Sequence, residues 1–425
     1  MVLITPGKQG CRVVAKPLAA NIPTLDRIKN YHDSDLDRDW LPRHNSFVPK
    51  KSNTHQPAKS KQLTKAKAKH TTTAVEDPNE VLPADAPEYR ELCGIARFIQ
   101  QDATWEYMQE SNIFGVRDPE TDELGFVSVM GALGEYKAVV VYRGVEGLNG
   151  WREFNELLTE DLGSEEVRVV YRNTSQIHLS FEDEISLEEF DLEVIKNSLS
   201  KFPDDKPQFR SQWPGYFPWF FTRAEARFLI NVLTQTTRVA KQFFDDPNML
   251  PLNETAEDRN YLIRVPQNDG ENRKWTNRIE RIDGPSNQLV PLFVERTVIE
   301  ELKSLPTGDP VEIAVFTLPS KIGEPNERPR VLYALMVVNA ITGYVFGFKA
   351  LDATGGGDLM YAEVPGQVAA IWLKHQVVPS EVRVRSRKLI ELFGTLCNEL
   401  KVKLMLAEEL PAVDEAKLAF VEWAS

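Results

Sequence analysis

Apolar residues along this chain fall into two blocks of regular periodicity, with an irregular aromatic stretch between them. The first block opens with Leu92, Ile95, Ala96 and Ile99, spaced for one face of a helix that begins near Pro87, a residue suited to a first helical turn. Three runs of strand character follow, 113–117, 124–130 and 136–142, joined by 118–123 and 131–134, both rich in turn formers. They read as an antiparallel meander. Gly144, Gly147 and Gly150 read as a turn into a helix near Trp151, a further strand covers 176–182, and Ser186 with Glu189 reads as a capping box for a helix to about Leu199.

The aromatic stretch is 209–221, Phe209-Arg-Ser-Gln-Trp-Pro-Gly-Tyr-Phe-Pro-Trp-Phe-Phe221. Its rings carry core-type surface on a segment that Pro214, Gly215 and Pro218 keep from becoming a regular strand or helix. We expect it to be a buried joint between two halves; an exposed face carrying Trp213, Tyr216 and Trp219 would instead be a recognition patch. Thr222 and Glu225 then form a second capping box, and Leu229, Val232, Leu233, Thr236, Val239, Ala240 and Phe243 trace one face of a helix of about six turns.

In the second block, 261–265 and 273–282 read as a hairpin, 295–302 as a helix, and 311–318, 331–341 and 344–351 as three strands. A helix over 366–375, a strand over 381–385, a helix over 387–400, a strand over 402–406 and a last helix from about Asp414 complete it. Three meandering strands followed by alternating helices and strands is the element order of the ribonuclease H-like fold, in which the last two strands extend the sheet in parallel. The class expected is therefore α+β in two domains. An antiparallel meander with helices occupies 81–205, the joint and long helix 206–255, and a mixed sheet of ribonuclease H-like topology 256–425.

Composition changes this picture mainly at the front. Residues 1–80 hold 14 Lys and Arg against 8 Asp and Glu, leaving 36 against 55 for the rest of a chain whose formal charge is −13. Between residues 49 and 73 the chain is Lys, Ser, Thr, Gln, Asn and Pro with almost no large apolar residue, too little to offset the entropy of ordering, so a disordered basic leader and linker is expected. Lys50, Lys51, Lys59, Lys61, Lys65, Lys67 and Lys69 are the main nucleic-acid signal in the chain; the acidic remainder argues against non-specific nucleic-acid binding. No apolar run of membrane length and no secretory leader pattern occurs, which points to a cytoplasmic protein without membrane partners. Cys11, Cys93 and Cys397 lack metal or disulfide spacing and the histidines are scattered, so no metal or cofactor is expected.

A ribonuclease H-like nuclease needs carboxylates converging on two divalent metals. Here the first strand offers only Glu312 at its edge, the helix over 366–375 has no acid, and the fourth strand ends in Ser386. A hydrolase acting on phosphodiesters would have to use Asp352, Asp358 and Asp414, the first two flanking a Thr-Gly-Gly-Gly run where Asp more often forms turns. What stands at the end of the fourth strand is Arg383, Arg385, Ser386, Arg387 and Lys388, crowding the point where a strand feeds a helix. That arrangement suits a phosphate-bearing or acidic ligand, or else caps the helix and pairs with the acidic body. The leading expectation is a non-catalytic binding or interaction protein, with this cluster and the aromatic stretch as its surfaces.

Four segments carry a family resemblance: Val127-Ser-Val-Met-Gly131, Val141-Tyr-Arg-Gly-Val-Glu-Gly147, the joint from Phe209 to Trp219, and Val378-Pro-Ser-Glu-Val-Arg-Val-Arg-Ser386. Together they resemble a bacterial family of two-domain proteins of unknown function, over roughly residues 85–425. The resemblance implies a bacterial, cytoplasmic protein and brings no reaction, cofactor, partner or catalytic residue with it.

Overall fold

The computed structural model describes residues 80–424 except 133, 135, 160–163, 252–258, 270–271, 285–293 and 325–326. The basic leader with Lys50 to Lys69 lies outside the described residues.

Strands Phe114–Arg117 (β1), Leu124–Met130 (β2), Ala138–Arg143 (β3) and Gln176–Glu182 (β4) are buried along nearly their whole length, the mark of a sheet covered on both faces. With Lys206–Gln212 (β5), Asn260–Asp269 (β6) and Asn272–Arg281 (β7) they form a seven-stranded sheet in the order β5-β4-β3-β2-β1-β6-β7. Neighbours are antiparallel except β1 and β6, which run parallel with Gly115 opposite Ile263. One face lies under helices Pro87–Asp102 (α1), Glu189–Ser198 (α4) and Arg223–Asp245 (α5), where Leu92, Leu229 and Leu233 meet Val127, Val129 and Val141. The other lies under Gly144–Thr159 (α2) and Ser164–Asn173 (α3), where Leu148, Phe154 and Val167 meet Phe126, Val140 and Ile263.

Four expectations are corrected in this half. The hairpin expected to open the second domain closes the first sheet instead, so the first unit extends through Arg281; Tyr261, Ile263 and Val265 share the core of Phe126 and Tyr142. The segment 206–255 likewise belongs to the first unit for most of its length, as edge strand β5 and core helix α5. The glycines expected to form a turn lie inside α2, which starts at Gly144. A Cβ at Gly147 would lie 2.7 Å from the Ser175 carbonyl oxygen and 2.9 Å from the Tyr142 carbonyl carbon, so glycine lets α2 press against backbone. Helix α4 is opened by Glu188, two residues after Ser186, its amide donating to Asp191 Oδ2 at 3.1 Å.

The second sheet has the order β11-β10-β9-β13-β14, built from Val311–Ile322 (β9), Arg330–Asn339 (β10), Val345–Leu351 (β11), Glu381–Val384 (β13) and Lys403–Leu406 (β14). The first three are antiparallel, while β13 runs parallel to β9 and β14 parallel to β13. A two-residue parallel pair, Thr307–Gly308 (β8) with Val378–Pro379 (β12), lies apart. Helices Arg296–Lys303 (α6), Gly357–His375 (α7) and Arg387–Leu400 (α8) supply Leu302, Trp372 and Phe393 to one face, and Pro411–Ala424 (α9) puts Val413 against Phe316 and Met336 on the other. Helix α7 begins nine residues before its expected start and runs on through Pro365, which places Asp358 in its first turn. Among the described residues no helix is long and apolar enough to cross a membrane.

The glycine packing in α2 has a measurable consequence. Gly147→Ala is expected to lower the thermal midpoint, since overpacking a closed site costs about 1–3 kcal/mol. Gly394→Ala in α8, where an added Cβ meets nothing within 4 Å, is expected to be neutral or stabilising. Calorimetry of the two variants checks this, and equal shifts would refute the close-approach account of α2.

Candidate functional site at the seam of the two sheets

The aromatic stretch lies where the two sheets meet. Gly215, at φ +78°, has its position because a Cβ would fall 2.5 Å from the Ala353 carbonyl carbon. Its carbonyl accepts from Val331 N at 2.8 Å, and Phe217 N donates to the Pro329 carbonyl at 2.9 Å, so the stretch pairs with the chain entering β10. Trp219 exchanges two 2.8 Å backbone hydrogen bonds with Ser211 at the end of β5. Trp213, Tyr216 and Trp219 are half-buried. The Phe217 ring receives the Arg172 guanidinium at 5.0 Å and the Lys321 ammonium at 5.2 Å, one from each unit.

Behind these rings sits a buried carboxylate. Glu225 closes the capping box of α5, accepting from Thr222 N at 2.9 Å while Thr222 Oγ1 accepts from Glu225 N at 3.3 Å. The same carboxylate accepts from the Ser211 hydroxyl, from Trp213 Nε1 at 2.6 Å and from Arg328 Nη2 at 3.3 Å. Arg328 comes from the β9–β10 connection of the second unit, is almost fully buried, and lies 4.4 Å from the Trp213 ring. Burial alone would push the Glu225 carboxyl up; the Arg328 charge, the Ser211 and Thr222 hydrogen bonds and Arg143 outweigh it and hold the pKa below the usual value.

A second set of acids crosses the seam on α3. Val167 enters the core of the first sheet and Val169 that of the second. Glu165 accepts from Thr317 N at 2.9 Å and from Lys417 Nζ at 2.6 Å, and Glu166 accepts from Ser386 Oγ at 2.6 Å. Burial raises the Glu165 pKa, but Lys417, Thr317 and Arg168 together bring it below the usual range. For Glu166 burial prevails, and neighbouring Glu153 adds to the rise against Ser386, Lys388 and Arg387.

This arrangement meets the Arg383 to Lys388 cluster directly. Arg383 donates to Glu381 at 2.7 Å, Arg385 to Asp414 at 2.7 Å and Lys388 to Asp358 at 2.6 Å. Ser386 is the N-cap of α8, its Oγ accepting from Leu389 N at 3.3 Å while donating to Glu166. Arg387 adds its charge beside Glu166. The cluster that suits an anion is thus matched by carboxylates of its own chain. Glu166 is the member with no local sequence signal, since it lies 220 residues from Ser386.

The three aspartates go separate ways. Asp352 accepts from Thr354 N at 2.9 Å in a turn, while Asp358 and Asp414 hold Lys388 and Arg385. Glu312, the second residue of β9, is fully buried and accepts from Val413 N at 3.0 Å in the first turn of α9. Among the described residues no group of three or more His, Cys, Asp and Glu side chains converges so as to hold a metal ion.

Opposite pH dependences follow from the two seam acids. The depressed carboxyl of Glu225 contributes stability that is present above the unfolded carboxylate pKa and lost as pH falls through the folded value. The raised carboxyl of Glu166 costs stability as pH rises from the unfolded through the folded value. Glu225→Gln, which removes the buried carboxylate charge facing Arg328 and Arg143, is expected to lose about 3–5 kcal/mol near neutrality. That deficit shrinks in acid, whereas Glu166→Gln is expected to gain stability at neutrality and match the parent in acid. Urea unfolding at about pH 7 and about pH 3 checks both; parallel pH profiles for the two variants would contradict the assignment.

Residues 89–264 match the family model of a domain of unknown function (DUF7309), and residues 298–421 match that of a second domain of unknown function (DUF6930). The first match ends inside β6, which keeps that strand with the first sheet. Neither curated proteins nor solved structures show a match to the chain. Each sheet unit is therefore similar to its own domain family of unknown function, and the chain joins the two.

Proposed function

We propose that this chain is a non-catalytic binding or interaction protein, whose second unit has ribonuclease H-like topology without the carboxylate centre of such nucleases. Support for the topology comes from the strand order β11-β10-β9-β13-β14, with two parallel strands each reached across a helix. The observation that carries the functional reading is the occupation of the places where metal-binding acids would meet. Ser386, two residues past the end of β13, is held by Glu166, Glu312 is consumed by the start of α9, and Asp358 and Asp414 are each paired with a cation. A two-metal centre requires several carboxylates within reach of ions about 3.5–4 Å apart. Side chains engaged in separate pairs do not offer that.

The test is hydrolysis by the full chain with Mg²⁺ or Mn²⁺ of single-stranded, duplex and hybrid nucleic acids and of bis(p-nitrophenyl) phosphate. No turnover above metal alone is expected. Turnover that falls by about tenfold or more in Asp358→Asn or Asp414→Asn would overturn the proposal in favour of a metal-dependent phosphodiester hydrolase.

A further inference from the structure

Three arginines are buried among the described residues: Arg210, Arg264 and Arg328. Arg210 is held by Asp191 through two 2.7 Å hydrogen bonds and Arg328 by Glu225. Arg264 differs. Its Nε donates to Gln235 Oε1 at 3.1 Å and its Nη1 to Asn277 Oδ1 at 2.8 Å, both neutral amides, and among the described residues it has no carboxylate within ion-pair distance. Strand alternation places it on the face of β6 that carries Leu262, beneath α5, where an apolar side chain would close the core. The amides are themselves oriented: Asn277 Nδ2 donates to Gln242, which turns Asn277 Oδ1 toward the guanidinium.

Arg264 lines a cavity of about 380 Å³ with Asn231, Thr234, Gln235, Arg238 and Trp275. Four of these follow one face of α5, where positions three and four apart are neighbours. Arg238 is exposed, has no ion pair among the described residues, and brings a second positive charge toward Arg264. The nearby acids are engaged elsewhere. Asp118 accepts from Asn231, Thr121 and Glu120 N, and Glu280 pairs with Arg117 at 3.3 Å. Burial and the Arg238 charge both press the Arg264 pKa below its usual value, which agrees with an uncompensated cation.

We propose that this cavity is a binding site for a small organic or inorganic oxyanion, phosphate or carboxylate in kind, gripped by Arg264 and Arg238 with Trp275 as a flat wall. Guanidinium groups hold such anions through paired hydrogen bonds, and the Thr234 hydroxyl lies on the same wall. Burying a guanidinium without a counter-charge is unfavourable, and an oxyanion supplies the missing charge. The cavity shares no residue with the seam, so it stands or falls independently of the hydrolysis test.

The experiment is titration calorimetry of the full chain with phosphate, pyrophosphate and citrate at constant ionic strength. It is run in parallel with Arg238→Ala, whose exposed side chain can be removed without disturbing the core, and with Arg264→Gln. Saturable binding of at least one of these anions is expected, weakened about fivefold or more in Arg238→Ala and absent in Arg264→Gln. Unliganded Arg264→Gln is expected to be at least as stable as the parent, because it removes a buried uncompensated charge. No saturable heat up to about 10 mM anion, or an affinity unchanged in Arg238→Ala, would overturn the proposal.

Discussion

The Glu225 carboxylate is the point through which the two halves are fastened. It closes the capping box of the longest described helix, receives the Trp213 indole of the joint and pairs with Arg328 of the second unit. A buried ion pair alone is a weak source of stability, because desolvating both partners offsets their attraction. Here the carboxylate takes additional hydrogen bonds from Ser211 and the Thr222 amide, and Arg328 lies against the Trp213 ring, so the partners' remaining valences are largely met. Arg328 stands two residues before β10, whose Val331 amide donates to the Gly215 carbonyl, and Phe217 N donates to the carbonyl of Pro329 just ahead of the strand. Fixing Arg328 therefore fixes where β10 begins, and with it the placement of the second sheet against the first.

Helix α3 is the second fastening and works by apolar division. A ten-residue helix is marginal alone and has to be held by its surroundings. This one sends Val167 into one core and Val169 into the other, while Glu165 and Glu166 in its first turn bond to β9, α9 and the start of α8. The basic cluster of the second unit is paired by that unit's own Glu381, Asp414 and Asp358, and Glu166 of α3 adds a hydrogen bond from Ser386 across the seam.

Much of this was legible because it is local. The meander, the Thr222–Glu225 box and the strand succession of the second half depend on periodicity and turn chemistry within a few residues, and they stand where expected. Helix α3 has no counterpart among the expected elements, since its β-branched Val167, Val169 and Val170 weaken the helical signal. The start of α7 was missed because Gly355 to Gly357 and Pro365 read as breakers, although burial of Met360, Tyr361 and Val364 holds the helix together through the proline. The hairpin β6–β7 was recognised as a hairpin and assigned to the wrong sheet, since alternation defines a strand's faces and not its neighbours. For the site the same limit holds: Arg385, Ser386 and Lys388 were visible as charges, but Glu166, which lies beside them, is remote in sequence.

Charge placement then separates two kinds of basic site in this chain. Residues 81–425 carry 36 Lys and Arg against 55 Asp and Glu, so the body's field at a distance is negative and repels anions, a polyanion most of all because it meets that field along its whole length. At the seam the cations are matched by carboxylates a few ångströms away and cancel at short range. Arg264 is matched by amides only, and exposed Arg238 has no ion pair among the described residues, so their attraction survives at contact distance and is screened beyond about 8 Å at physiological ionic strength. With the proposed anion site, a body built this way favours compact anions that enter a cavity over extended ones that lie on a surface.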